Sequence, residues 1–156
     1  MGGVMIYTDL TRLAMKVAYK AHEGQTDRQG IPYIYHPIHL AEQMTTEDTC
    51  VVALLHDVIE DTDMTLDELR AYGFTEDQLE GVRLMTHIDP PKELTYEEKL
   101  EDYYNYVRQI KGNPIAMPVK LADLAHNSDR TRLVKNNKDD DLRFEKYKKA
   151  IEILTE

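Results

Sequence analysis

Cysteine is almost absent from this 156-residue chain: the lone Cys50 can form no internal disulfide, and a reducing compartment is the expectation. Glycine is scarce as well, seven residues beside six prolines, which excludes collagen-like and low-complexity architectures. No apolar run approaches the ~20 residues of a helical membrane span, and the first residues lack the basic-then-apolar pattern of a signal segment. Positive charge is in deficit. Against 29 Asp+Glu stand only 19 Lys+Arg, a formal net charge of −10 that argues against broad binding to nucleic acid or anionic membrane. There is no internal repeat and no Pro/Gly/Ser-rich linker. What is there, 42% apolar and 31% charged residues, is the composition of one acidic globular domain over 1–156, expected in the cytoplasm.

Helical signals run through most of the chain. Leu10, Leu13, Ala14, Val17, Ala18 and Ala21 recur at i, i+3, i+4 and i+7, and Gly24 supplies a stop. Four later segments open on a capping-box pattern, Thr45/Asp48, Thr65/Glu68, Thr75/Gln78 and Thr95/Glu98, in which each end satisfies an N–H of the first turn. Gly73 and Gly112 stand where C-terminal caps belong. Asn113-Pro114 reads as the start of a helix through Leu133, with Pro118 as a kink or irregular first turn. A last helix, about 140–155, carries Leu142, Ala150, Ile151 and Leu154. No segment alternates long enough to be a strand. The expected fold is all-α, a bundle of seven or eight helices, and the polar loop from Glu23 to Tyr35 is its longest interruption.

The chemistry concentrates around His56-Asp57. The apolar run of residues 51–55 ends abruptly in four titratable groups, His56, Asp57, Glu60 and Asp61, which are costly to bury unless paired or bound to metal. His56 with Glu60, and Asp57 with Asp61, are i,i+4 pairs expected to share helical faces, and the bland alternative is a solvated helix end with one satisfied histidine. His36 sits in an aromatic, proline-flanked turn. Asp123 lies in an apolar helical stretch with Asn127 one turn on. Two histidines and two aspartates form a mixed N/O donor set suited to Mn²⁺, Fe²⁺ or Zn²⁺, unlike the thiolates of a structural zinc site.

In this order His36, His56-Asp57 and Asp123 resemble the H…HD…D pattern of HD-superfamily metal-dependent phosphohydrolases. The words around them, Ala21-His22-Glu23-Gly24-Gln25, residues 32–37, 53–62 and Lys120-Leu121-Ala122-Asp123, resemble the hydrolase domain of RelA/SpoT-type alarmone enzymes over about residues 13–133. No synthetase half is present, so the likeness is to small stand-alone hydrolases.

The resemblance implies a Mn²⁺-dependent (p)ppGpp 3′-pyrophosphohydrolase returning GDP or GTP. His36, His56, Asp57 and Asp123 would hold the ion, and Glu60 and Asp61 would orient and activate water. Asn127 would contact nucleotide and Lys120 would face phosphate; Tyr33 and Tyr35 read either as lining the nucleotide pocket or as core packing, and Arg28 either as a cation for a base or phosphate of the substrate or as a solvated loop charge. Relatives usually carry two adjacent basic residues where Asp27 and Arg28 stand here. An Asp beside a polyphosphate would repel it, which favours a second reading: the same metal site acting on a nucleoside monophosphate or NADPH. A third reading is a non-catalytic helical regulatory module. Of the remaining candidates, His22 and His126 read as ligand-orienting or packing residues, and His39 and His87 have no nameable partner. Tyr103, Tyr104 and Tyr106 read as packing, and Arg130, Arg132, Lys135 and Lys138 as a solvated helical face. Oligomeric state is not legible.

Overall fold

The computed structural model describes residues 3–156. Among them are nine α-helices: α1 (Asp9–Ala21), α2 (Tyr35–Glu42), α3 (Glu47–Leu55), α4 (Val58–Asp61), α5 (Leu66–Tyr72), α6 (Glu76–Met85), α7 (Tyr96–Ile110), α8 (Ala116–Asn127) and α9 (Lys138–Thr155). A single 3₁₀ turn, Arg130–Arg132, follows α8. The only β feature among the described residues is an isolated bridge between Thr26 and Pro32. The architecture is all-α as expected, and the ninth element is the one-turn α4, cut from α3 by a turn at His56-Asp57. No helix of the described residues is long and apolar enough to cross a membrane.

α3 is the centre of the bundle. Residues 49–55 are all buried, and the helix packs against α1, α2, α6 and α8. A helix apolar on every side can be satisfied only where neighbours cover it all round. α6 reaches it through Gly81, where a Cβ would stand 2.8 Å from Cγ2 of Val52. α9 packs across α7 and α8.

The caps show where local patterns compete. α3 starts one residue later than the Thr45/Asp48 pattern predicts: Thr46 Oγ1 accepts from the Thr49 N–H at 3.1 Å, and Thr49 answers in kind. Asp48 is drawn instead to the buried Gln78, whose Nε2 donates to it at 2.9 Å. Thr75/Gln78 and Thr95/Glu98 form full boxes. Thr65 accepts from Glu68, but its hydroxyl donates to the Glu68 carboxylate in place of the reciprocal bond. α8 begins at Ala116, still capped by Asn113, whose Oδ1 accepts from Ile115 and Ala116 at 3.0 and 2.9 Å. Pro118 falls in the first turn, where a missing N–H costs nothing. The helix ends at Asn127 rather than Leu133, and α9 starts at Lys138 on an Asn137/Asp140 box.

Thr46→Ala should therefore cost about 1 kcal/mol in urea unfolding while Thr45→Ala stays near neutral. Leu54→Ala, at a fully buried position of α3, should cost about 2–5 kcal/mol.

Candidate metal centre and its surroundings

The turn that ends α3 decides the site. His56 keeps helical angles (φ −58°, ψ −28°) but Asp57 departs to φ −109°, ψ 2°, so the expected continuous helix breaks there; of its two i,i+4 pairs, Asp57 with Asp61 is kept, the Asp61 N–H donating to the Asp57 carbonyl at 2.9 Å. The break brings His56 and Asp57 side chains together, with Nε2 of His56 2.9 Å from Oδ2 of Asp57. Glu60 joins Asp57 and Asp61 instead of His56, and one carboxylate oxygen from each lies within 4.8 Å of the others.

His36 arrives on the first turn of α2 and Asp123 on α8. Asp123 Oδ1 is 2.9 Å from His36 Nε2 and 3.6 Å from His56 Nε2. All three are buried. The orientation of each group has a visible cause. His56 Nδ1 donates to the Ala53 carbonyl at 2.7 Å, which leaves its neutral ring with a lone pair on Nε2. That Nε2 is buried and finds no hydrogen bond of acceptable geometry. His36 Nδ1 lies 2.7 Å from Nδ1 of His126, which stacks on it. Burial, with Arg132 nearby, lowers the His126 pKa to about 4, so His126 can accept and leave His36 Nε2 free. Tyr33 donates its hydroxyl to Asp57. Asp123 accepts from Lys120 Nζ and from Asn127 Nδ2, each at 3.0 Å.

The electrostatics call for a cation among these groups. Burial would raise the Asp123 pKa, but Lys120 and the histidines hold it well below the carboxylate range. Burial would lower the His56 pKa, yet Asp57 and Asp123 raise it well above its usual value. A positive charge is wanted where His36, His56 and Asp123 meet within 4.8 Å, with Asp57 adjoining at His56, and a divalent ion satisfies it with neutral imidazoles. His36, His56, Asp57 and Asp123 thus fit a metal by donor chemistry, by convergence and by the unpartnered Nε2 of His56. Beside them, burial together with the repulsion of Asp57 pushes Asp61 up to about 6 and Glu60 up to about 7, the latter against the His87 N–H bond.

The other predicted residues fall in two adjoining clefts. A cavity of about 260 Å³ is walled by Asp57, Glu60, Asp61, Lys120, Asp123 and Asn127. A neighbour of about 280 Å³ holds Arg28, Arg132, Arg143 and Phe144, and the two share Tyr33, Asn127 and Tyr147. Lys120 is buried, its ammonium on Asp123 and 5.1 Å from the Tyr106 ring centroid, so it is no freely projecting cation. Arg28 donates to the buried Asp140 at 2.9 Å and ties the loop to α9. Asp27 serves the loop: its Oδ1 accepts from Gln29 and Ile31 at 2.8 and 3.1 Å.

Several contributors were not anticipated. Arg132, expected on a solvated helical face, is outside any α-helix and half-buried; it donates to the His126 carbonyl at 2.9 Å and lies 3.8 Å from Asp27. Tyr147 and Lys146 of α9 reach the cavity from a helix whose pattern signals only packing. His87 gains partners in Glu60 and Asp102. The Tyr103 and Tyr106 cluster packs as expected, around Lys120.

An all-helical bundle whose buried central helix ends on His-Asp, with a histidine and an aspartate closing on it from two other helices, is an HD-type domain. Comparison with known proteins agrees. The chain is 36% identical over 121 residues, 74% of its length, to the bifunctional (p)ppGpp synthase/hydrolase SpoT of Escherichia coli K12. It is 37% identical over 121 residues to the guanosine-3′,5′-bis(diphosphate) 3′-pyrophosphohydrolase of Vibrio cholerae, and 32% over 126 to the GTP pyrophosphokinase of Myxococcus xanthus. It spans only 17% of the length of each of these relatives. No family model matches the chain. A solved structure of a metazoan ortholog of SpoT, described as hydrolysing ppGpp, shares the fold with a TM-score of 0.77 at 24% identity, over 97% of this chain and 89% of that one. The chain is a homologue of the RelA/SpoT-type enzymes, matching a segment of them.

Titration with Mn²⁺ should show one bound ion in the unaltered protein and in Glu60→Gln, and none in Asp57→Ala or Asp123→Ala. Asp123→Ala also strands Lys120 and should lose about 3–5 kcal/mol of stability, part of which Lys120→Met added to it should restore without restoring metal.

Proposed function

We propose that this chain is a Mn²⁺-dependent pyrophosphohydrolase that removes the 3′-diphosphate of (p)ppGpp, giving pyrophosphate and GDP or GTP. The observation that carries the reading is the convergence of His36, His56 and Asp123 within 4.8 Å, with Asp57 2.9 Å from His56 Nε2 and itself grouped with two carboxylates of raised pKa, in a cavity opening onto an arginine- and tyrosine-lined cleft. The relatives' names point to the same substrate.

When bound, the ion supplies Lewis acidity toward a phosphoryl oxygen and makes water more acidic. The rest falls to the chain. Glu60, with a pKa near the working pH, accepts the proton of the attacking water while Asp61 orients it. The water oxygen bonds to the phosphorus attached at the ribose 3′ oxygen; that P–O bond breaks and the 3′ oxygen takes up a proton. Lys120 offsets phosphate charge through the cavity wall, and Asn127 donates to the nucleotide beside it. Tyr33 fixes Asp57 through its hydroxyl. Arg28 offers a flat guanidinium face to a base across the adjoining cleft, with Arg132 and Tyr147 on its other walls.

Asp27 no longer weighs against a polyphosphate. One of its oxygens is saturated by two backbone N–H groups and the other faces Arg132, so little unscreened negative charge reaches the cleft.

Purified protein with Mn²⁺ should release pyrophosphate from ppGpp, and Glu60→Gln should lower turnover about a hundredfold or more with metal still bound. Silence toward ppGpp with the ion in place, and turnover of NADPH or a nucleoside monophosphate in the same panel, would overturn the substrate.

A further inference from the structure

We infer that Asp102 is a positioning residue for Glu60, acting through His87. This rests on the role given to Glu60 above, but the contacts are independent of it. Three carboxylates, Asp57, Glu60 and Asp61, crowd within 4.8 Å. Like charges so close push the most mobile of them toward water. Glu60 sits on the one-turn α4, too short a frame to hold a three-torsion side chain inward. What holds it is the backbone N–H of His87, which donates to Glu60 Oε1 at 2.7 Å.

That N–H needs an anchor of its own. α6 ends at Met85, and Thr86 turns to an extended conformation (φ −81°, ψ 115°), so His87 lies outside any helix and its peptide is not set by helical geometry. The imidazole supplies the anchor. Its Nε2 pairs with Asp102 Oδ2 of α7 at 2.8 Å, and its ring packs against Tyr106 and Tyr103 with centroids 4.7 and 5.9 Å away. Tyr106 in turn donates its hydroxyl to the Met85 carbonyl, pinning the end of α6 from the same helix. The chain of contacts runs α7, imidazole, peptide N–H, carboxylate. Its outer end, Asp102, is 39% exposed on the side chain and belongs to a different cavity wall from the metal centre. A purely structural Asp102 would merely staple α6 to α7.

The two roles separate in one experiment on the Mn²⁺-loaded full chain. Hydrogen exchange read by mass spectrometry over residues 86–88 should quicken about tenfold or more in Asp102→Ala, and equally in Glu60→Ala, while Asp102→Asn, which still accepts from the ring, stays protected. Turnover of ppGpp should follow: kcat about tenfold lower in Asp102→Ala with KM changed less than about twofold, and largely recovered in Asp102→Asn. In a Glu60→Gln background, Asp102→Ala should cost less than about twofold more. Unchanged exchange in Asp102→Ala, or losses that multiply in the double variant, would overturn the inference. A wild-type chain inert toward every nucleotide would overturn the proposed function, and the exchange comparison would still decide whether Asp102 positions Glu60.

Discussion

Everything in this molecule hangs on a helix that must be buried on all sides and yet ends in charge. α3 carries no polar face from Thr49 to Leu55, so the remaining helices are arranged to enclose it, and its C-terminal end opens onto His56 and Asp57 deep inside the bundle. Buried carboxylates without counter-charge would be ruinous. The surrounding helices answer that demand with Lys120 and His36 on Asp123, and with a donor arrangement that a divalent ion suits. Site and core are thus one construction, and a loss of packing around α3 would be felt at the donors.

The charge pattern is graded outward from that point. Asp123, the most enclosed carboxylate, is held ionised by Lys120, and Asn127 adds a further hydrogen bond. Asp61 and Glu60, less enclosed than Asp123 but still raised first by burial and then by the charge of Asp57, are pushed toward neutral pH. One carboxylate is therefore held ionised while the next two are pushed toward neutral pH, a division that arises from burial and neighbours alone. The loop of residues 22–34 seals the arrangement from the side: Gln25 bridges His22 and the Asp61 carbonyl at 2.8 and 2.9 Å, and Tyr33 reaches Asp57. Gly30, at φ +82°, lets that loop turn back on Asp27.

The class of fold was legible in the residues themselves, and so was the set of side chains, His36, His56, Asp57 and Asp123, that the fold brings together. Helical periodicity, capping threonines and glycine stops are local physics and depend on neighbours within a turn, which is why α1, α5, α6 and α7 fall where their signals stand. Those four residues were legible because titratable groups interrupt apolar runs, an arrangement that water-facing segments have no need of. Tertiary contacts decided the rest. Asp48 left its capping position because Gln78, thirty residues on, offered a buried donor. The helix expected to continue through His56-Asp57 broke, moving Glu60 from His56 to Asp57 and Asp61. Arg132, Tyr147 and His87 entered the picture only because chain segments remote in sequence meet there, and no spacing in the sequence encodes such a meeting. Local energies choose helix and cap; long-range burial and charge choose which side chains face one another.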